Sequence, residues 1–312
     1  MLERIQIDGF RALTQVDVPL KPLTVLVGQN DSGKSSFIDA IRFLVSGSDI
    51  ALFDRKDAKT TSGFTVTAYG AGGTQLSRSD GFVGPPANRS PFIRPTEFFR
   101  LPSHGVAMES PGFPHLMSQG ESGEYTASIL DTLLRTDRKR FDQIEEKLCE
   151  HLPGLKGIAI ETPESSTRRI DLVLQGGLKM PASRASTGAR LMIFFITLAY
   201  HPTPPGLILL EEPENGVHPK RLEQIVALLR EITEGKHGNH AAQIIMTTHS
   251  PYLLDFIDPT KDQVITFRRE PNGDRVAEAV DNDRLKDFLD NEFKLGEIWF
   301  NQGEDGLIKR VG

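Results

Sequence analysis

The sequence predicts an α/β fold on a mixed sheet, and three stretches predict it. An apolar strand, Leu23–Val27, runs into a glycine-rich turn and then a helix. A second, Leu207–Leu210, runs straight into the carboxylates Glu211, Glu212 and Glu214. A third, Gln243–Met246, ends on Thr247, Thr248, His249 and Ser250. Near-continuous apolar runs suit central parallel strands, which are buried on both faces. Polar residues at the carboxyl ends of such strands sit where doubly wound sheets bind ligands.

Taken in order, residues 1–27 read as two short strands, RIQIDGF and LTVLVG, joined by a turn. Residues 28–35, GQNDSGKS, then fit G-x-x-x-x-G-K-[ST] between a strand and a helix, the context that this phosphate-binding motif needs. The residue types explain the chemistry. Gly28 and Gly33 let backbone amides turn inward around phosphate oxygens, and the helix N-terminus adds its positive end. Lys34 is placed to reach the β- and γ-phosphates of ATP, and Ser35 offers a hydroxyl to Mg2+. Asn30, Ser32 and Ser36 complete the expected ATP-binding set. The competing reading is a glycine-rich strand-to-helix turn with no ligand. Phe37, Ile38, Ile41 and Leu44 give the helix that follows, to about Val45, a buried side.

Residues 46–120 are rich in Gly, Ser and Pro, which predicts short strands between long loops. Residues 126–152 carry a helical pattern through Ile129, Leu133, Phe141, Ile144 and Leu148. Asp and Arg interrupt it near 135–140, leaving one helix or two. GIAIETPESSTRRIDLVLQGGLKMP reads as two strands. Leu191–Tyr200, bounded by Arg190 and His201, is too short to cross a bilayer and reads as a buried helix. Residues 221–232 form an amphipathic helix, DQVITFRRE a strand, and RLKDFLDNEFKLGEIWF a helical tail with an apolar face. No internal repeat and no sustained heptad pattern is present.

A phosphate-binding loop needs carboxylates beside it, because magnesium must be held from the opposite side and a water aimed at the γ-phosphate. Glu211 is assigned to the Mg2+ shell and Glu212 to polarising the water. A divalent cation offsets the like charge that the strand end would otherwise carry. Without that loop, the better reading of the acidic stretch is a strand entering a solvated helix start. His249, at the tip of a strand in the same sheet, is placed to reach the γ-phosphate; a lone histidine would more often be structural.

The net charge is −6, so the strongly basic footprint of many dedicated DNA binders is absent. Cys149 is the only cysteine, which excludes an intrachain disulfide or a cysteine-cluster metal site and fits a reducing compartment. The opening MLERIQIDGF is charged and alternating, unlike a targeting segment. A cytoplasmic protein without a membrane partner is the expectation.

GQNDSGKSS, LILLEEPENGVHP and IIMTTHSP, together with ASTGARLMIFFITLAY at 185–200, resemble the ABC-type ATPases, in the SMC/RecF/OLD-like branch of the AAA family. The resemblance implies a P-loop NTPase fold of ABC-ATPase type with a smaller helical second lobe. One ATPase domain would cover 1–312. Its nucleotide-binding core would come from 1–120 and 180–280, a helical and β insertion lobe from 121–180, and a helical tail from 281–312. It also implies that Ser186-Thr187-Gly188 is the signature core, binding the γ-phosphate of ATP held by a second copy through Ser186 and Gly188. ATP with Mg2+ would then close a head-to-tail dimer. Arg11, in IQIDGFRAL, matches an arginine that in the family lies near the nucleotide; a solvated turn is the alternative.

The sequence also departs from the pattern. Glu211 stands where many relatives have Asp, ASTGAR replaces Leu-Ser-Gly-Gly-Gln, and the Q-loop candidates Gln75 and Gln119 lack spacing support. Only about 150 residues separate Lys34 from Pro181, with few heptads, so no SMC-type coiled coil is expected there. With about 60 residues after His249, no Toprim domain of the kind found in OLD nucleases is expected. The implied function is an ATP-hydrolysing switch in genome maintenance or anti-phage defence. Its partners would be a second copy, a separately encoded effector or nuclease, and DNA. A transporter ATPase subunit is the alternative, disfavoured by EEPENGVHP in place of Ser-Ala-Leu-Asp. A non-hydrolysing nucleotide-gated scaffold is another, disfavoured by Glu212. The basic stretch RTDRKRF, 135–141, and Arg168-Arg169 read as a solvated helix face among Asp131, Asp137, Asp142, Glu145 and Glu146; salt-sensitive phosphate contacts to DNA are the other reading.

Overall fold

A computed structural model describes residues 1–46, 63–79, 96–100, 105–112, 119–237, 240–281, 285 and 293–308. Contacts divide the chain into two compact units, one of 1–98, 205–213 and 242–312, the other of 99–204 and 214–241.

The first unit carries a large mixed sheet. Its strands are β1 (Leu2–Phe10), β2 (Leu13–Pro19), β3 (Leu23–Gly28), β4 (Thr65–Gly70), β5 (Thr74–Ser79), β6 (Thr96–Arg100), β11 (Leu207–Glu211), β12 (Gln243–Thr248), β13 (Gln263–Arg269) and β14 (Arg275–Ala279). They lie in the order β5-β4-β1-β2-β14-β13-β3-β12-β11-β6. The centre is parallel: β12 and β13 flank β3, and β11 flanks β12. Every residue of β3 and β12 is buried, which explains why these strands lack alternation. The other end is an antiparallel meander of β2, β1, β4 and β5.

The expected two opening strands are three. LTQVDVP is a strand in its own right, with Val16 and Val18 alternating onto the buried face and Leu13 buried at its start. Helix α1 (Lys34–Ser46) follows β3 and buries Phe37, Ile38, Ile41 and Leu44. Phe37 meets Phe267 of β13 edge-on, with centroids 5.5 Å apart. Past β12 come the short α6 (Pro251–Leu254) and, after β14, α7 (Leu295–Ile308). The first part of the expected helical tail, 286–292, lies outside the described residues.

The second unit contains β7 (Ser110–Pro111), α2 (Thr126–Thr136), α3 (Arg138–His151), β8 (Leu155–Glu161), β9 (Thr167–Leu174), β10 (Lys179–Pro181), α4 (Thr187–Ala199) and α5 (Pro219–Glu234). The long helical stretch is two helices. Asp137 ends the first and caps the second, its carboxylate accepting from Arg140 N at 3.2 Å. The two expected strands are three, since Gly176 and Gly177, at φ 93° and 82°, turn the chain so that Lys179–Pro181 pairs back on β9. Helix α4 is apolar on nearly every side and packs on both α3 and α5.

These packings also regroup the expected lobes. The segment 99–120 and the helices α4 and α5 fall in the second unit, where the sequence reading kept 1–120 and 180–280 together. A helix buried all round needs neighbours on every side, and for α4 these include α3.

Candidate functional site

The site grows from the carboxyl ends of three adjacent parallel strands. After β3 the chain enters a loop whose backbone only glycine permits at two points. A Cβ on Gly28 (φ 154°) would stand 2.2 Å from the Phe267 carbonyl oxygen. One on Gly33 (φ 109°) would stand 2.8 Å from Leu13 Cδ2. Between them Asp31 adopts a left-handed conformation, φ 58°. The loop folds around its own lysine. Buried Lys34 Nζ donates to the Gly28 carbonyl at 2.7 Å, the Gln29 carbonyl at 2.8 Å and Ser32 Oγ at 3.4 Å.

As α1 begins, Phe37 N donates to the Gly33 carbonyl at 3.0 Å. The turn before it carries the amides that a helix leaves outside its own ladder, with the positive end of the dipole. Ser32 is buried, Ser36 half-buried, and Asn30 and Ser35 exposed on this rim. A cradle of turned-in backbone, a buried ammonium and a helix N-terminus fits a polyphosphate.

Glu211 closes β11, paired in register with Thr247 of β12. Glu212 follows in the left-handed region at φ 46°, its N–H donating to the Thr247 carbonyl and Thr247 Oγ1, each at 3.2 Å. That turn swings its carboxylate to 3.3 Å from His249 Nε2. Burial, and then the Lys34 ammonium, push the His249 imidazole below its ordinary value, against the opposing pull of Glu212 and of a hydrogen bond to Gly28. Lys34, Glu212 and His249 are therefore electrostatic neighbours.

A divalent cation has a limited donor set here. Among the described residues no group of three or more His, Cys, Asp or Glu side chains could hold a metal alone. Ser35 and Glu211 offer one hydroxyl and one carboxylate, the sparse set that Mg2+ takes when substrate phosphates complete its shell. The residues fit the ion on that condition.

Arg11 (φ 47°) pairs with Asp39, which Arg42 also meets at 3.2 Å, and its guanidinium lies 5.5 Å from the Phe10 ring centre. It thus stands beside α1, one turn past the loop.

In the second unit, Ser186 is the N-cap of α4, its Oγ accepting from Ala189 N at 3.3 Å. Gly188 lies under Arg221; a Cβ there would come 3.1 Å from Arg221 Cδ. Gly216, after the acidic stretch, is equally tight on Thr187, at 2.9 Å to Cγ2. The His-Pro that ends EEPENGVHP starts a helix: His218 Nδ1 accepts from Lys220 N at 3.3 Å, and Pro219 opens α5.

Comparison with known proteins finds similarity to AAA-type ATPases. Residues 113–255 match the family described as "AAA domain, putative AbiEii toxin, Type IV TA system", and residues 1–68 match "AAA ATPase domain". The chain is 24% identical to an OLD nuclease of Thermus scotoductus, an alignment spanning 95% of this chain and 68% of that protein. It is 43% identical over 58 residues to the uncharacterized protein YbjD of Escherichia coli K12, a match to 18% of this chain and 10% of that one. The fold is similar to an Smc head bound to the C-winged helix domain of ScpA (TM-score 0.58, 16% identity, 92% of this chain and 99% of that one). It is also similar to the SMC head domain from Thermotoga maritima (TM-score 0.51, 16% identity, 90% and 99%). These matches support an ATPase, and the chain is similar to the ATPase heads of the SMC/RecF/OLD-like branch.

Two residues of the head touch the phosphate loop unannounced by any motif. Arg275, at the start of β14, donates Nε to the Asp31 carbonyl at 3.1 Å and Nη2 to the Asp31 carboxylate at 2.6 Å. Glu304 of α7 accepts from Gln29 N at 3.0 Å, just past a kink at Gly303 (φ 65°). Both are more than 240 residues from their partners, so no local pattern could reveal them. The Q-loop candidates separate. Gln75 lies on β5 in the first unit, whereas Gln119, in the second, is buried with neither side-chain amide atom hydrogen-bonded. The basic stretch 135–140 is largely paired: Arg135 with Asp131, Arg138 with Asp142 and Arg140 with Asp137, at 3.0, 2.7 and 3.1 Å. Arg168 also joins Asp131, at 2.9 Å. None of the described helices is long and apolar enough to cross a membrane.

Proposed function

We propose that this head is an ATP-driven switch that binds and hydrolyses ATP between two copies arranged head to tail. The observation that carries the reading is the meeting of Lys34, Glu212 and His249 at the ends of adjacent parallel strands. In this reading the loop from Gly28 to Ser36, with Asn30 and Ser32 on its rim, holds the phosphates through backbone amides and Lys34. Ser35 and Glu211 hold Mg2+, which when bound screens phosphate charge and polarises the terminal phosphoryl group. Glu212 accepts the proton of the attacking water. His249, kept neutral by its surroundings, contacts the terminal phosphate and positions Glu212. Arg11 is proposed to lie near the nucleotide. Ser186 and Gly188 of one copy complete the site of the other through the N-terminus of α4.

The switch is proposed to act on a separately encoded effector or on DNA, in genome maintenance or anti-phage defence, within the cytoplasm. Partner binding is supported by the similar Smc heads bound to ScpA domains, and a nuclease or toxin effector by the relatives named above. Direct DNA binding has weaker support, since the basic stretch is engaged by carboxylates.

The test is ATP turnover with nucleotide binding in parallel. Lys34→Ala is expected to abolish binding. Glu212→Gln is expected to bind ATP normally and to lose turnover by about 100-fold or more, the usual worth of a positioned base. Wild-type turnover no faster than that of Glu212→Gln, with plausible partners present, rules out the catalytic assignment.

A further inference from the structure

We propose that Arg275 is a positioning residue for the phosphate loop, acting by holding Asp31 in its left-handed conformation; this rests on the ATP-binding reading of that loop. Arg275 is anchored before it reaches the loop. Its backbone pairs with Leu13 of β2, and Nη1 donates to the Gly273 carbonyl at 2.6 Å. Two further side-chain hydrogen bonds grip one residue from two directions, the Asp31 carbonyl through Nε and the Asp31 carboxylate through Nη2. The arginine side chain is only 16% exposed, whereas that of Asp31 is 74% exposed, so the grip runs from a packed side chain to an open one.

Asp31 stands at φ 58°, where an L side chain crowds its own backbone. The Arg275 stem continues to Gly33, where a Cβ would lie 3.4 Å from Arg275 Cβ and Cγ. So one side chain is bonded to the residue before Ser32 and lies beside the residue after it. Ser32 N donates to the Gln29 carbonyl at 3.3 Å, and Ser32 Oγ accepts from Lys34. Fixing Asp31 and Gly33 therefore fixes the peptide units that aim Ser32 and Lys34. The planar fork of arginine suits this double grip and an ammonium does not.

The loop would hold phosphates in the ground state and the transition state alike. Losing a brace on it weakens both equally, which raises KM and leaves kcat unchanged. Arg275→Ala is expected to weaken binding of a non-hydrolysable ATP analogue roughly tenfold, and to raise KM to match, with kcat within about twofold of wild type. Arg275→Lys is expected to recover only part of the loss.

The decisive comparison uses Asp31→Gly, because glycine adopts this conformation without crowding. In that background Arg275→Ala should change affinity by no more than about twofold. An equal loss in both backgrounds overturns the proposal, as does unchanged affinity in Arg275→Ala or a fall in kcat at constant KM. A general loss of fold would lower the melting temperature without this dependence on residue 31, and that outcome overturns it too. Wild-type protein and Lys34→Ala serve as references. If wild type binds no nucleotide, the ATP-binding reading fails first. If it binds and Lys34→Ala does not, a null result at Arg275 removes the brace alone.

Discussion

At the scale of single residues, the site uses backbone strain to aim side chains. Glu212 at φ 46° and Asp31 at φ 58° hold a conformation that costs a non-glycine residue about 1 kcal/mol or more. In return the Glu212 carboxylate turns towards His249. That histidine carries a pH signature whose sign follows from its neighbours. Its folded-state pKa lies below the ordinary value, chiefly through burial and then through Lys34. Between the two values an unfolded chain binds a proton that the folded chain refuses. Stability is therefore highest above the unfolded pKa of about 6.5 and falls as pH drops towards the folded value. His151 shifts the same way through its own burial, so wild type retains a second contribution. The unfolding free energy of His249→Gln should decline less than that of wild type between about pH 7 and pH 5. Parallel declines in a denaturant titration would show that His249 is not held neutral by the fold. The residue types here were legible in the sequence, because the G-x-x-x-x-G-K-S spacing and the acidic strand end each demand particular chemistry. The strain was not, since φ depends on contacts such as those from Thr247 and Arg275.

At the scale of elements, strands buried on both faces and amphipathic helices were readable, and short pairings were not. β3, β11 and β12 are each built on a run of buried aliphatic residues, and α5 carries its apolar face from Leu222 to Ile232. β10 spans only Lys179–Pro181 and exists because a Gly-Gly turn folds it onto β9, a long-range outcome with no periodic trace. Helix α4 presents a test belonging to this scale, because Ser186 has two possible jobs. As an N-cap it accepts from Ala189 N, and removing it should destabilise the protein by about 1 kcal/mol. As a trans contact it would face a γ-phosphate, where negative charge is repelled. Aspartate caps as well as serine does. Ser186→Asp is thus expected to keep the melting temperature and lose ATP turnover, whereas Ser186→Ala loses stability and keeps part of its turnover. Full turnover in Ser186→Asp would leave the cap as the residue's only role.

At the scale of the whole molecule, the chain enters its second unit at residue 99, returns for 205–213, leaves again for 214–241 and comes back at 242. Glu212 and Glu214, two residues apart, thereby belong to different units. A core of 1–120 and 180–280 around an insertion at 121–180 is one level of interleaving; the finer exchange at 205–213 and 214–241 depends on long-range packing such as that of α4 on α3 and α5, which leaves no local trace. It also divides the proposed chemistry. The loop, Glu211, Glu212 and His249 lie in one unit, and Ser186 and Gly188 in the other. If the signature acts in trans, a single copy should bind ATP and yet hydrolyse it poorly, and turnover per copy should rise with protein concentration. Light scattering of Glu212→Gln is expected to give a monomer without nucleotide and a dimer with ATP and Mg2+. Ser186→Arg placed in the same chain should return it to a monomer that still binds ATP. A dimer that forms equally without ATP, or one that survives Ser186→Arg, would mean that the two copies meet through some other surface. Turnover independent of concentration in wild type would locate the whole reaction within one chain.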